Sequence, residues 1–131
     1  MPLTAYALNA ILIVVGEDAW YMATEIIVTE QFIDWYHSLD EKDADAVEFS
    51  VGLLEQFGVT LGAPHSSKVL GTALRELRIQ SGGQPLRAFY AFDPVRQAVL
   101  LTGGDKTGDD RFYRKMIAEA TALWNDYLAG K

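Results

Sequence analysis

Between Leu74 and Thr102 the chain alternates with a period of two and is interrupted only by short turns. Leu74, Glu76 and Arg78 fall on one side of an extended segment, and Arg75, Leu77 and Ile79 on the other. Ser81-Gly82-Gly83 makes a tight turn into a second strand over Leu86 to Phe92, where Arg87, Phe89 and Ala91 alternate with Ala88, Tyr90 and Phe92. Asp93-Pro94 turns the chain again, and Gln97 to Thr102 forms a third strand. Turns this short require an antiparallel meander, because a parallel crossover consumes far more chain.

The flanking segments have helical periodicity. Glu25 to Thr29 carries the β-branched residues of a short strand, and Thr29 can cap a helix over Glu30 to Ser38. A second helix fits Asp40 to Phe57, with acids in its first turns, a Val47, Val51, Leu54 stripe and Gly58 as its stop. A last helix from about Asp110 to Leu128 places Phe112, Met116, Ala120, Leu123 and Trp124 at helical spacing. The expected fold is therefore α+β in the order β-α-α-β-β-β-α: an antiparallel meander sheet, an N-terminal helical hairpin and a C-terminal helix. Trp35, Tyr36 and Trp124 are expected in the core.

Residues 22–131 read as one domain and residues 1–21 as an N-terminal extension outside its core. Ala7 to Gly16 is apolar but about ten residues long, too short to span a bilayer, and no Lys or Arg precedes it. Half of the chain is hydrophobic, enough for a core, and the absence of cysteine excludes disulfides and thiolate metal sites. That composition fits a cytoplasmic protein with no membrane contact.

The net charge of −7 is unevenly spread. Residues 1–60 hold one Lys, Lys42, against eleven acids, whereas residues 61–115 hold nine Lys and Arg against five acids. An acidic front and a basic back point to one anion-binding face. Arg78 and Arg87 lie on neighbouring strands and Lys106 follows the third, so guanidinium groups converge where a phosphodiester can be held. Cleaving RNA through its own 2′-hydroxyl needs a base, an acid and cations for the charge growing on phosphorus. Arg78 and Arg87 suit the cationic role on a solvent-facing sheet surface, where truncation is expected to cost little stability. Glu76, Lys106, His65 or Tyr113 suit the proton transfers. No cofactor or metal is implied. Gly104-Asp105-Lys106-Thr107 lacks the glycine spacing of a phosphate loop.

Three runs carry a resemblance: Lys68-Val69-Leu70-Gly71, Leu74-Arg75-Glu76-Leu77-Arg78 and Arg87-Ala88-Phe89-Tyr90-Ala91-Phe92-Asp93. With Leu100 to Thr107, Phe112-Tyr113 and the closing helix, this ordered set resembles the RelE/ParE superfamily, nearest its phage-derived HigB branch. The resemblance spans about Glu25 to Leu128. It implies a toxin of a type II toxin–antitoxin module, a ribosome-dependent mRNA endonuclease held in a hetero-oligomer by a HigA-like helix-turn-helix antitoxin. On that pattern Arg78 and Arg87 match the family's phosphate-handling strand arginines, Lys68 a basic residue before the first meander strand and Lys106 the lysine after the last. From the residues themselves Glu76 and Tyr113 join Arg78, Arg87 and Lys106 as catalytic candidates, and Arg75, Arg111 and Lys115 join Lys68 as RNA-binding ones. A ParE-like gyrase poison, or an inactive co-repressor, would use the same fold. The chain departs from the pattern in its acidic balance and in lacking a C-terminal histidine and aspartate cluster, which leaves the acid and base open.

Overall fold

The computed structural model describes residues 20–131 together with Leu12–Val14. Strands β1 (Leu12–Val14) and β2 (Trp20–Met22) pair antiparallel in a sheet of their own. There follow β3 (Ile26–Val28), α1 (Glu30–His37), α2 (Glu41–Phe57), a 3-10 turn (Gly58–Thr60), β4 (Ser66–Lys68), β5 (Arg75–Ser81), β6 (Gln84–Phe92), β7 (Ala98–Asp105) and α3 (Phe112–Leu128). The rest of the expected extension lies outside the described residues.

The main sheet has the order β3-β7-β6-β5-β4. From β4 to β7 it is the expected antiparallel meander, with one more strand than the alternation revealed. β3 joins the far edge parallel to β7, the helical hairpin serving as the crossover that parallel pairing needs. Thr29 caps α1 as expected, its Oγ1 accepting the Phe32 N–H at 3.1 Å, and Asp40, expected inside the first turn of α2, instead caps it, Oδ1 accepting the Asp43 N–H at 2.8 Å. Thr29 Oγ1 also donates to the Leu101 carbonyl at 2.6 Å, tying the start of α1 to β7.

The sheet is covered on both faces. The α1–α2 hairpin packs Phe32, Val47, Val51 and Leu54 onto Leu77, Ile79, Ala88 and Leu100. On the other face α3 packs Phe112, Ala120 and Trp124 onto Leu74, Phe89, Ala91 and Val99. Tyr36 and Trp124 are buried, and Trp35 packs half-buried against the hairpin-side core. A bulge between Phe89 and Tyr90 leaves an extra residue in β7, so consecutive Leu101 and Thr102 both serve the α3 side, Thr102 donating to Glu119 at 3.2 Å.

Gly103 fits only without a side chain, because a Cβ there would overlap the Trp35 indole. Gly103→Ala is expected to cost about 1–3 kcal/mol by overpacking. Thermal unfolding should show that loss shrinking in a Trp35→Leu background.

Glu55 is buried on α2 with Oε2 unpartnered among the described residues, and desolvation raises its pKa above the ordinary carboxylate range. A raised folded-state pKa means that the native state holds the proton more tightly than the unfolded chain. Its stabilising contribution is therefore complete below the unfolded value and lost as pH rises through the folded one. Glu55→Gln should accordingly match the wild type at acid pH and exceed it in melting midpoint at neutral pH. Parallel curves at the two pH values would contradict this.

Candidate active site

Strand register builds the site. Arg78 on β5 lies directly opposite Arg87 on β6, which in turn lies opposite Gly104 on β7. Two pairs further along, Glu76 is opposite Phe89 and Phe89 opposite Thr102. Period-two alternation thus puts Glu76, Arg78 and Arg87 on the face that α3 covers. Gly104 lets the first turns of α3 come close, since a Cβ there would stand 3.0 Å from Phe112 and 3.3 Å from Met116.

That approach carries Tyr113 over the sheet. Its ring packs edge-on against Phe89 and Phe112, with centroids 6.2 and 5.3 Å away, and its hydroxyl donates to Glu76 Oε1 at 3.3 Å. Lys106, held just beyond β7 by its N–H bond to the Pro85 carbonyl, places Nζ 5.3 Å from the Tyr113 ring centroid. Glu76 Oε1 also accepts from Ser67 Oγ at 3.2 Å and stands 4.0 Å from Arg87 Nε. Arg87 turns its Nη1 back onto the Leu86 carbonyl at 3.0 Å.

Glu76 and Arg87 are only 7% and 5% exposed, and Glu76 Oε2 and Arg87 Nε have no hydrogen-bond partner among the described residues. A buried ion pair at 4.0 Å with spare donors and acceptors is under-satisfied, since buried polar atoms are nearly always partnered. The expected solvent-facing position of Arg87 is therefore corrected: α3 covers this end of β6, and only Arg78 of the two arginines is exposed. Lys106 and Tyr113 are half-buried at the rim.

The remaining candidates lie elsewhere. Arg75 faces the hairpin side, its Nε donating to Tyr90 Oη and its Nη2 to the Leu61 carbonyl, both at 3.4 Å. Lys68, its cross-strand partner, shares that face. Arg111 and Lys115 are exposed at the start of α3. Lys115 pairs with Asp109 at 2.7 Å, and that ammonium, with the Arg111 N–H, holds the Asp109 carboxyl below its usual range. His65 is an exposed loop residue whose carbonyl accepts the Arg78 N–H. Ser67 escapes sequence reading because Ser66-Ser67-Lys68 shows no alternation to mark a strand.

The sequence profile of phage-derived Gp49-like proteins (DUF891) matches residues 34–125. HigB3 of Mycobacterium tuberculosis strain H37Rv, named as a toxin, is 34% identical over 108 residues, covering 81% of this chain and 95% of its own. HigB2 of the same organism, also named as a toxin, is 33% identical over 105 residues, 76% of this chain but 52% of its own, so the chain spans about half of that relative. In three dimensions the chain is similar to a double arginine-to-alanine variant of the E. coli toxin RelE in the free state. The TM-score is 0.58 at 12% identity, covering 77% of this chain and 97% of that one, a likeness of fold alone. By profile and by identity, the chain belongs to the phage-derived Gp49-like family, together with the HigB toxins, and it folds like RelE.

Proposed function

We propose that this chain is the toxin of a toxin–antitoxin pair and arrests translation by cleaving mRNA on the ribosome. The observation that carries the reading is Lys106 and Tyr113 gathered at a buried, under-satisfied Glu76–Arg87 pair, with exposed Arg78 directly across the strands from Arg87. An RNA backbone meets Arg78 and Lys106 first. The Tyr113 hydroxyl, its proton committed to Glu76, offers an oxygen lone pair to a 2′-hydroxyl. Attack forms the 2′-O–P bond while that proton passes through Tyr113 to Glu76. The 5′-O–P bond breaks, and the Lys106 ammonium protonates the leaving oxygen. The products are a 2′,3′-cyclic phosphate and a 5′-hydroxyl. Arg78, with Arg87 behind it, balances the charge accumulating on phosphorus. A neighbouring gene's product, an antitoxin with a helix-turn-helix fold, would hold the chain inactive in the cytoplasm.

Induced expression should produce new mRNA 5′ ends bearing hydroxyl groups, with plasmid supercoiling unchanged. Altered supercoiling with intact mRNA would move the assignment to a gyrase poison on the same fold. Growth arrest with neither effect would refute both.

A further inference from the structure

The three residues of β4, Ser66-Ser67-Lys68, are all polar, and its two adjacent hydroxyls serve opposite faces of the sheet. Ser66 is buried on the hairpin side, its Oγ 2.5 Å from Tyr90 Oη. Ser67 is half-buried and lies directly across the strands from Glu76, to which it donates on the α3 side at 3.2 Å. The first bond fastens an edge strand to its sheet. The second reaches the proposed chemistry.

Among the described residues, Glu76 Oε1 takes every polar contact of its carboxylate: Ser67 Oγ at 3.2 Å, Tyr113 Oη at 3.3 Å and Arg87 Nε at 4.0 Å. Oε2 has no hydrogen-bond partner. The terminal torsion of a glutamate is broad, so its rotamer leaves the carboxylate plane free to turn. Arg87 stands beyond hydrogen-bond length and does not fix that plane. Ser67 does: it occupies one lone-pair direction of Oε1 and leaves the other to Tyr113. Without Ser67 the charge of Arg87 is free to draw the carboxylate into a closer pair, and the long bond from Tyr113 resists least. We propose that Ser67 is a positioning residue, which holds the Glu76 carboxylate so that Oε1 stays aimed at the Tyr113 hydroxyl. The inference rests on the proton route from Tyr113 to Glu76 put forward above and names the residue that sets its geometry.

The test is single-turnover cleavage of ribosome-bound mRNA by the full chain, run well below the melting midpoint of each variant. Ser67→Ala should lower the saturated rate on the order of 10- to 100-fold and leave half-saturation unchanged, because Ser67 holds a proton acceptor and not the RNA. Ser67→Thr keeps the hydroxyl and should recover most of the rate. In a Tyr113→Phe background, where the relay is already broken, Ser67→Ala should slow the reaction little further. Ser66→Ala should show the reverse pattern, a lower melting midpoint with a rate near that of the wild type. A wild-type rate in Ser67→Ala, with Tyr113→Phe still slow, would refute the role of Ser67 and leave the reading of the site intact. A loss confined to half-saturation, an equal loss with and without the Tyr113 hydroxyl, or no rescue by threonine would also overturn that role. So would an equal loss in Ser66→Ala, since any loosening of β4 would then suffice. No cleavage by the wild type would refute the nuclease reading, and this role with it.

Discussion

Arg78→Ala is expected to silence growth arrest at an unchanged melting midpoint, whereas Arg87→Ala should fail by unfolding. Arg78 is exposed and has no ion-pair partner among the described residues, so its truncation should fall within about 0.5 kcal/mol, as surface substitutions do. Its direct opposition to Arg87 makes a slight gain possible through relief of like-charge repulsion. Activity should nonetheless drop on the order of 100- to 1,000-fold, the usual cost of losing one donor to developing charge. Arg87 is the opposite case. Removing it strands the Glu76 charge beneath α3, and breaking a buried pair costs about 3–5 kcal/mol, a large part of a small domain's total stability. A neutral replacement of similar shape, Glu76→Gln with Arg87→Met, should recover most of that stability and none of the activity. Thermal unfolding and growth at matched expression decide the matter. Full toxicity in Arg78→Ala, or a wild-type midpoint in Arg87→Ala, would sink the assignment of the two roles.

The elements that sequence reveals here are those whose signals are local. The side chains of Thr29 and Asp40 satisfy helix N–H groups within three residues, and Gly58 stops α2 at a φ of 56°, so the hairpin is fixed by its own ends. The meander is legible because Gly82 and Gly83, both at positive φ, turn the chain between two alternating runs. What escapes is non-local. β3 joins β7 across some seventy residues, and nothing in Ile26-Ile27-Val28 says which strand it will meet. β4 is three residues long and wholly polar, held by Ser66 against Tyr90 and Ser67 against Glu76 rather than by an apolar pattern.

The same distinction explains the site. Alternation correctly groups Glu76 with Arg78, yet Arg87 carries no mark of burial in its own strand. Its surroundings are decided by Gly104 and by the depth at which Phe112, Tyr113 and Met116 dock, two elements away. Arg75 shows the converse. It reads as one more cation of a basic segment, but its side chain faces the hairpin and is used to bond Tyr90 and the Leu61 carbonyl.

Tyr113→Phe and Lys106→Arg are the sharpest test of how the protons move. Phenylalanine keeps the ring against Phe89 and Phe112 and beneath Lys106, and removes only the hydroxyl that bonds Glu76. That bond is long at 3.3 Å, so the stability change should stay within about 1 kcal/mol. Loss of a positioned proton relay, in contrast, should slow single-turnover cleavage of ribosome-bound mRNA on the order of 100-fold or more. Lysine and arginine separate two roles that alanine confuses. Arginine preserves the positive charge and the contact with the Tyr113 ring but does not release a proton under any relevant condition. If Lys106 only neutralised phosphate charge, Lys106→Arg would cleave at nearly the wild-type rate. As the acid that protonates the leaving oxygen, it should instead leave Lys106→Arg almost as slow as Lys106→Ala. A substrate with an activated 5′-leaving group, which needs no protonation, should then restore the rate of both variants and leave Tyr113→Phe slow, because the attack step still lacks its relay. Recovery of Tyr113→Phe on that substrate, or full activity of Lys106→Arg on the natural one, would assign the protons to other groups.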